Sequence, residues 1–385
     1  MIKENKKYTN SHNNNGDYMK SYIKDNIIYI YILFFLTISY LSIFETSRYL
    51  SPTLGILYYK QIIWYLIGLI IIFIIKRINI NMIYKFSIFL YIINIILLIG
   101  LFFFGSEINN SKAWYNIFGF SFQPSEFMKI SLILLDAEII NKYYKKKDKI
   151  SKKEEIKIII ILFLLFTIPS ILTFLEPDTG SVIGYFIITI SMIYISNIDK
   201  KWLLGLFISF LIILFIFLYI YFNYQDLFIN IFGSSFFYRI DRIINWQSKS
   251  GLQLNNSLIA IGSSGLTGNN YIPIYYPELE TDFIFTSFTS TYGFIGGLLL
   301  IILSFSFDLY VLNLIKKEPN KQNKYVLFGI SMLFLYQQIQ SIGMTLGILP
   351  ITGITLPLIS YGGSSLISYL ILTGIIINIT KKKKC

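Results

Sequence analysis

The stretch "YPELETDFIF", Tyr276 to Phe285, sets Glu278, Glu280 and Asp282 within five positions and then enters an apolar run. A carboxylate at such a boundary can take a proton from an attacking hydroxyl, or hold a divalent cation such as Mg or Mn through its oxygens. The plainer reading of Asp282 is a helix cap, with Thr281 beside it. In "QPSEFMK", Pro124 suits the first turn of a helix, Glu126 sits where the macrodipole favours an anion, and Lys129 stands three residues on, near enough to pair with it. That pair reads either as a substrate contact or as an ion pair locking two helices. Asp136 extends the stripe along the same helix, or snorkels toward the far membrane face. "EPDTGS", Glu176 to Ser181, offers Asp178, again with a helix cap as the simpler role. Arg239 and Arg242 in "YRIDRIINW" are one helical turn apart, a spacing that presents two guanidinium groups to one phosphate or pyrophosphate. The same segment, with Ile240, Ile243, Ile244 and Trp246, also reads as an amphipathic helix lying on lipid headgroups. Last, "LPITGITLPLISYGGSSL" gathers Gly, Pro and Ser at a helix mouth, where irregular backbone must line a cleft or protein interior.

The elements that must position these groups are membrane helices. The 385 residues are 55% hydrophobic, 18% aromatic and 14% charged, too apolar for an ordinary soluble globule. With one cysteine, Cys385 at the end, and one histidine, His12 in an Asn-rich tail, disulfide frameworks, Cys/His metal sites and Ser-His-Asp chemistry are excluded. A crossing needs roughly 20 apolar residues. Such runs fall at 27–46, 58–75, 82–104, 124–141, 157–175, 180–196, 202–222, 283–313, 325–349 and 357–379. The reading is an all-α polytopic membrane protein of about ten spans. Residues 27–380 form one transmembrane domain, flanked by a mobile tail, 1–26, and a basic tail, 381–385. Residues 223–282 form one large loop between the seventh and eighth spans.

Most of the 33 Lys and Arg fall in the two tails and in alternate loops, such as "KYYKKKDKISKKEEIK" and "KKEPNKQNK". The positive-inside rule makes that side, with both termini, cytoplasmic. The opposite side keeps Arg48, Lys60, Lys112, Arg239, Arg242 and Lys249. The net charge of +12 is therefore a topology signal with contact to anionic lipid, and no argument for nucleic-acid binding.

Taken together and in order, five stretches resemble the SEDS family of bacterial cell-wall glycosyltransferases. They are "FQPSE", "EPDTGS", "NSLIAIGSSGLTG", "PELETDFIF" and "IGMTLGILPITGITLPLISYGGSSL", spread over residues 110–366. "IGMT" with "SYGGSS" is similar to the elongation branch of that family rather than to its division branch. The resemblance implies polymerisation of lipid II, a disaccharide–pentapeptide on undecaprenyl pyrophosphate, into glycan strands outside a bacterial cytoplasmic membrane. It implies Asp282 as the catalytic carboxylate and gives weight to Trp114, Glu126 and Lys129. Arg239, Arg242, Lys112, Asp178 and Glu278 complete the expected substrate-binding set, with Asp282 the one candidate for a divalent cation. A class B penicillin-binding transpeptidase and other elongation proteins are the implied partners. The chain departs from the family pattern at Ala113, where Arg is frequent, at Ser290 and Thr291 in place of a Glu pair, at Glu176 in place of Gln, and in a shorter 268–277 segment. The rival reading is a lipid II transporter, which requires ionisable groups through the whole depth of the bundle. Here the polar motifs gather at one face.

Overall fold

A computed structural model describes residues 26–47, 56–108, 111–117, 119–144, 150–244, 251–268 and 278–381. The two expected tails lie almost wholly outside these residues. Long helices dominate: α1 (Asn26–Ser47), α2 (Leu57–Arg77), α4 (Ser87–Phe104), α6 (Lys152–Leu175), α8 (Lys200–Asn223), α12 (Ile284–Lys317), α13 (Lys321–Thr345) and α14 (Gly363–Thr380) are each long and apolar enough to cross a membrane. Two more helices complete the bundle. One is α5 (Pro124–Tyr144), whose Glu126, Lys129, Asp136 and Glu138 lower its hydropathy; the other is the shorter α7 (Thr179–Ile195), of 17 residues.

Burial explains why α5 tolerates its charges. Most of its residues are buried, and it packs on α4, α7, α13 and α14, so its polar side chains meet protein rather than lipid. α13 and α14 are also largely buried, whereas the most apolar window of α8 has no buried residue at all, as befits a helix in lipid.

The structure corrects several boundaries. The expected span 82–104 is two helices: α3 (Ile80–Lys85), begun by the Asn79 side chain accepting from the Asn81 N–H at 3.0 Å, then a turn at Phe86 and α4. α13 begins at Lys321, and the span expected from 357 begins at Gly363, because residues 346–362 are turns and extended chain at the mouth of the bundle. A small antiparallel sheet runs in the order β1 (Ser106–Ile108), β2 (Ser111–Ile117), β3 (Phe120–Phe122), with Tyr115 opposite Phe122 and Asn116 opposite Ser121. Gly119, at φ 82°, lies between β2 and β3, and its N–H is bound by the Asn116 side chain. In the large loop stand α9 (Gln225–Phe232), α10 (Ser234–Ile244) and α11 (Leu252–Ser263).

α12 is interrupted at Gly293, φ 68°, and the chain after α11 docks into the break: Phe294 and Ile295 donate to the carbonyls of Gly265 and Leu266 at 2.9 and 3.1 Å. A Cβ at Gly268 would collide with the Thr291 carbonyl, and one at Gly293 with the backbone of Gly268 and Leu266. Backbones meet here only because both positions are glycine.

Candidate active site

The polar segments converge on one cavity of about 1040 Å³, at the upper end of the usual range for ligand pockets. Its walls come from the N-terminal ends of α5, α7 and α14, the 351–355 segment, the sheet, and the turn before α12. The structure brings Trp114, Glu126, Lys129, Asp178, Glu278 and Asp282 to this one space. Tyr238 of α10 also lines it, whereas the side chains of Arg239 and Arg242 lie outside the described parts of that helix. Lys112 is placed elsewhere, in a smaller neighbouring pocket.

Asp282 is held by a knotted turn. Glu278, at φ 69°, accepts from the N–H groups of Thr281 and Phe283 through its carbonyl, and its carboxylate takes the Thr281 hydroxyl at 2.6 Å. A left-handed non-glycine residue costs on the order of 1–3 kcal/mol, so it persists only where such bonds over-determine it. Ser360 ties the turn to the 349–362 segment by donating to the Thr281 carbonyl at 2.6 Å while accepting the Leu356 N–H at 2.8 Å. Tyr361 adds its N–H to the Glu280 carbonyl at 2.9 Å. The Asp282 carboxyl then lies against Gly353, where a Cβ would stand 3.4 Å from Oδ2 and where φ is +70°. Burial, with Glu278, Asp178 and Glu280 nearby, pushes the Asp282 carboxyl up to about 7. Burial and Glu278 also raise Glu280. No capping bond from Asp282 is seen at the start of α12, so its helix-cap reading does not hold there.

Asp178 does cap: it accepts the Ser181 N–H at 3.0 Å, and also the Ser125 hydroxyl at 2.9 Å and the Gln123 amide at 3.1 Å. The cap fixes the "QPSE" turn against α7 while leaving Asp178 on the cavity wall. Glu126 and Lys129 form the ion pair within α5 and also reach the cavity wall. They pair at 2.6 Å, with side chains 8% and 4% exposed, and Ser368 of α14 donates to the other Glu126 oxygen at 3.1 Å, yet both line the cavity. Asp136 does not snorkel: it is wholly buried between helices, with neither oxygen partnered, and it does not line the cavity.

Sequence reasoning missed the roof. The β2–β3 hairpin is pinned by Tyr115 donating to the Leu97 carbonyl at 2.7 Å and by Ser364 donating to the Ser121 carbonyl at 2.8 Å. Gly119, Phe120 and Ser121 thereby face the space, with Phe120 edge-on to Trp64. Also missed were Lys60 and Trp64 of α2 and Gln337 of α13, all cavity-lining. Lys60 had one available signal, its place among the few cations on the sparsely charged side.

Among the described residues no group of three or more His, Cys, Asp or Glu side chains is arranged to hold a metal ion. Asp282 and Glu278 match only the mode in which Mg²⁺ is held by one or two carboxylates together with substrate phosphates.

The fold and site define a polytopic membrane protein with a charged chamber at one end of its bundle, lined by a hairpin and by the half-buried Asp282. Residues 24–385 match the model of the FtsW/RodA/SpoVE cell cycle proteins, and the chain belongs to that family. It is 33% identical to the probable peptidoglycan glycosyltransferase FtsW of Wigglesworthia glossinidia brevipalpis, over 83% of this chain and 82% of the relative. It is 30% identical to the peptidoglycan glycosyltransferase MrdB of Helicobacter pylori, over 92% and 89%. In fold it is similar to a chain of a peptidoglycan synthase complex that coordinates polymerization and crosslinking, with a TM-score of 0.75 and 21% identity over 91% of this chain and 96% of that one. It is likewise similar to the rod shape determining protein RodA of Thermus thermophilus, with a TM-score of 0.66 and 22% identity over 92% and 95%.

Proposed function

We propose that this protein is a peptidoglycan glycosyltransferase that polymerises lipid II at the outer face of the cytoplasmic membrane during cell elongation. The observation that carries the reading is Asp282, a carboxyl poised near neutrality, on the wall of a cavity shared with Lys60 and Lys129. Asp282 accepts the proton of the acceptor sugar hydroxyl as that oxygen bonds to the anomeric carbon of the donor; the bond to the pyrophosphate breaks, and the pyrophosphate leaves with the electron pair. Lys60 and Lys129, joined by Arg239 and Arg242, stabilise the departing charge. An α-linked donor and a β-linked product make this a single inverting displacement, so no covalent sugar–enzyme intermediate is needed. A divalent cation, Mg or Mn, belongs to this reading only as one brought with the pyrophosphate and touching Asp282.

The outer placement rests on the Lys and Arg asymmetry, which leaves both termini cytoplasmic. The proposed partners are a class B transpeptidase and other elongation proteins, in keeping with the synthase complex whose chain this fold resembles. Relatives named FtsW are as similar as those named MrdB, so division is the alternative setting for the same chemistry. Lipid II transport is the less supported reading, since the deep acids Asp136 and Asp308 are buried away from the cavity. The test is polymerisation of labelled lipid II by the purified protein, with and without its transpeptidase, beside Asp282→Asn at equal folded amount. Glycan strands from the wild type and none from the variant are expected. No polymer from the wild type with its partner, where a known relative makes it, refutes the reading.

A further inference from the structure

Pro177 walls the large cavity on one side and, on the other, a second pocket of about 250 Å³. Its charged lining is Glu107 of β1, Lys112 of β2 and Glu176 at the end of α6; its apolar lining is Leu101, Phe102 and Leu175. Glu176 is 3% exposed and neither of its carboxylate oxygens has a hydrogen-bond partner, while its backbone carbonyl is held by the Ser111 hydroxyl. Burial, with Asp178 nearby, pushes its carboxyl up to about 8. A buried acid in this condition lacks a counter-ion. Leu101 is buried, but Phe102 and Leu175 face outward at 44% and 58% exposed, and Phe103 and Phe104 beside them are more exposed still, as side chains in contact with acyl chains would be.

We propose that this pocket binds the headgroup of an aminophospholipid of the phosphatidylethanolamine class. The ammonium group lies toward Glu176 and Glu107, the phosphate toward Lys112, and the chains run down over Phe102 and Leu175. A primary ammonium brings three N–H donors and the positive charge that allows Glu176 to ionise. A choline group brings the charge without the donors, and a glycerol headgroup brings hydroxyl donors without the charge. The ligand would sit one residue from Asp178, which caps α7 beside the large cavity, so lipid binding and chamber geometry share the Glu176–Pro177–Asp178 turn.

The test is native mass spectrometry of the full-length protein released from micelles containing equimolar dioleoyl phosphatidylethanolamine, phosphatidylcholine and phosphatidylglycerol. The expected result is one retained phosphatidylethanolamine, preferred about tenfold over the other two, as one charge-assisted hydrogen bond provides. Glu176→Gln should bring that preference down to the phosphatidylcholine level, and Lys112→Ala should weaken retention of all three. Glu107→Gln, at an exposed position, provides the same reading if Glu176→Gln does not fold. Equal retention of the three lipids by the wild type overturns the proposal. So does a phosphatidylethanolamine preference that survives in both Glu variants.

Discussion

The rate of polymerisation should carry the titration of Asp282 as an acidic limb near neutrality. A carboxyl at its ordinary value of about 3.9 would be fully ionised across the working range and give a flat profile from pH 6 upward. With Asp282 pushed up to about 7, its ionised fraction is about one-tenth at pH 6, half at pH 7 and nine-tenths at pH 8. The kcat/KM for labelled lipid II should therefore rise about tenfold from pH 6 to pH 8. Its neighbours make the assignment specific. Glu278 is the largest electrostatic contributor after burial, so Glu278→Gln removes a negative charge that favours the protonated acid and moves the limb to lower pH. The variant should then lose less of its pH 8 rate on going to pH 6 than the wild type does. The assay is initial-rate strand formation in fixed detergent and ionic strength, with folded fraction checked at each pH. A profile flat from pH 6 to 8, or a limb that Glu278→Gln moves upward, refutes a general base at Asp282.

The same shift has a sign for stability. Because the folded protein holds the Asp282 proton more tightly than the unfolded chain, its contribution is fully present below about pH 4 and lost as pH rises through about 7. Asp282→Asn, dead in the strand assay, should match the wild type in thermal unfolding near pH 4 and exceed it at pH 8. Lys129→Ala should lower stability by about 3–5 kcal/mol because it strands the buried Glu126, while Glu126→Gln with Lys129→Gln together should cost less; midpoints in one detergent decide between additive and compensating losses. Gly268→Ala drives a Cβ into the Thr291 carbonyl at φ +86° and should cut both folded yield and rate. Gly205→Ala in α8, with nothing within 4 Å, should gain up to about 1 kcal/mol from helix propensity.

Which features the sequence announced follows from the range of the forces involved. Bilayer thickness imposes runs of about 20 apolar residues, so nearly every long helix announces itself locally. α5 and α7 fall short on hydropathy or length, yet "QPSE" and "EPDTGS" marked their starts, because cap and first-turn chemistry is also local. The break between α3 and α4 at Phe86 was hidden because the long apolar run of α4 follows with no Gly or Pro between; Asn79 marks only where α3 begins. The hairpin was hidden for a related reason. Its registration depends on Tyr115 reaching Leu97 and Ser364 reaching Ser121, contacts that exist only after α4 and α14 are packed.

The surroundings of Asp282 show the same division more sharply. Asp282 could be picked out from its own stretch, but its proton affinity could not. Asp178 raises it from more than a hundred positions away, and Gly353 bares the carboxyl from a third segment. Holding those three segments together falls to residues of no intrinsic reactivity. Ser360 bridges Thr281 to Leu356, and the Gly268–Gly293 contact seats the chain after α11 in the break of α12. Where the family pattern has a Glu pair, Ser290 and Thr291 instead bond back to the Ser287 carbonyl at 2.9 and 3.0 Å, inside the helix that carries Asp282 at its head. These hydroxyls satisfy themselves without adding charge near the acid. The negative charges that raise Asp282 therefore come from Glu278, Asp178 and Glu280, and the Glu278→Gln limb shift would report on that arrangement rather than on carboxylates further along the helix.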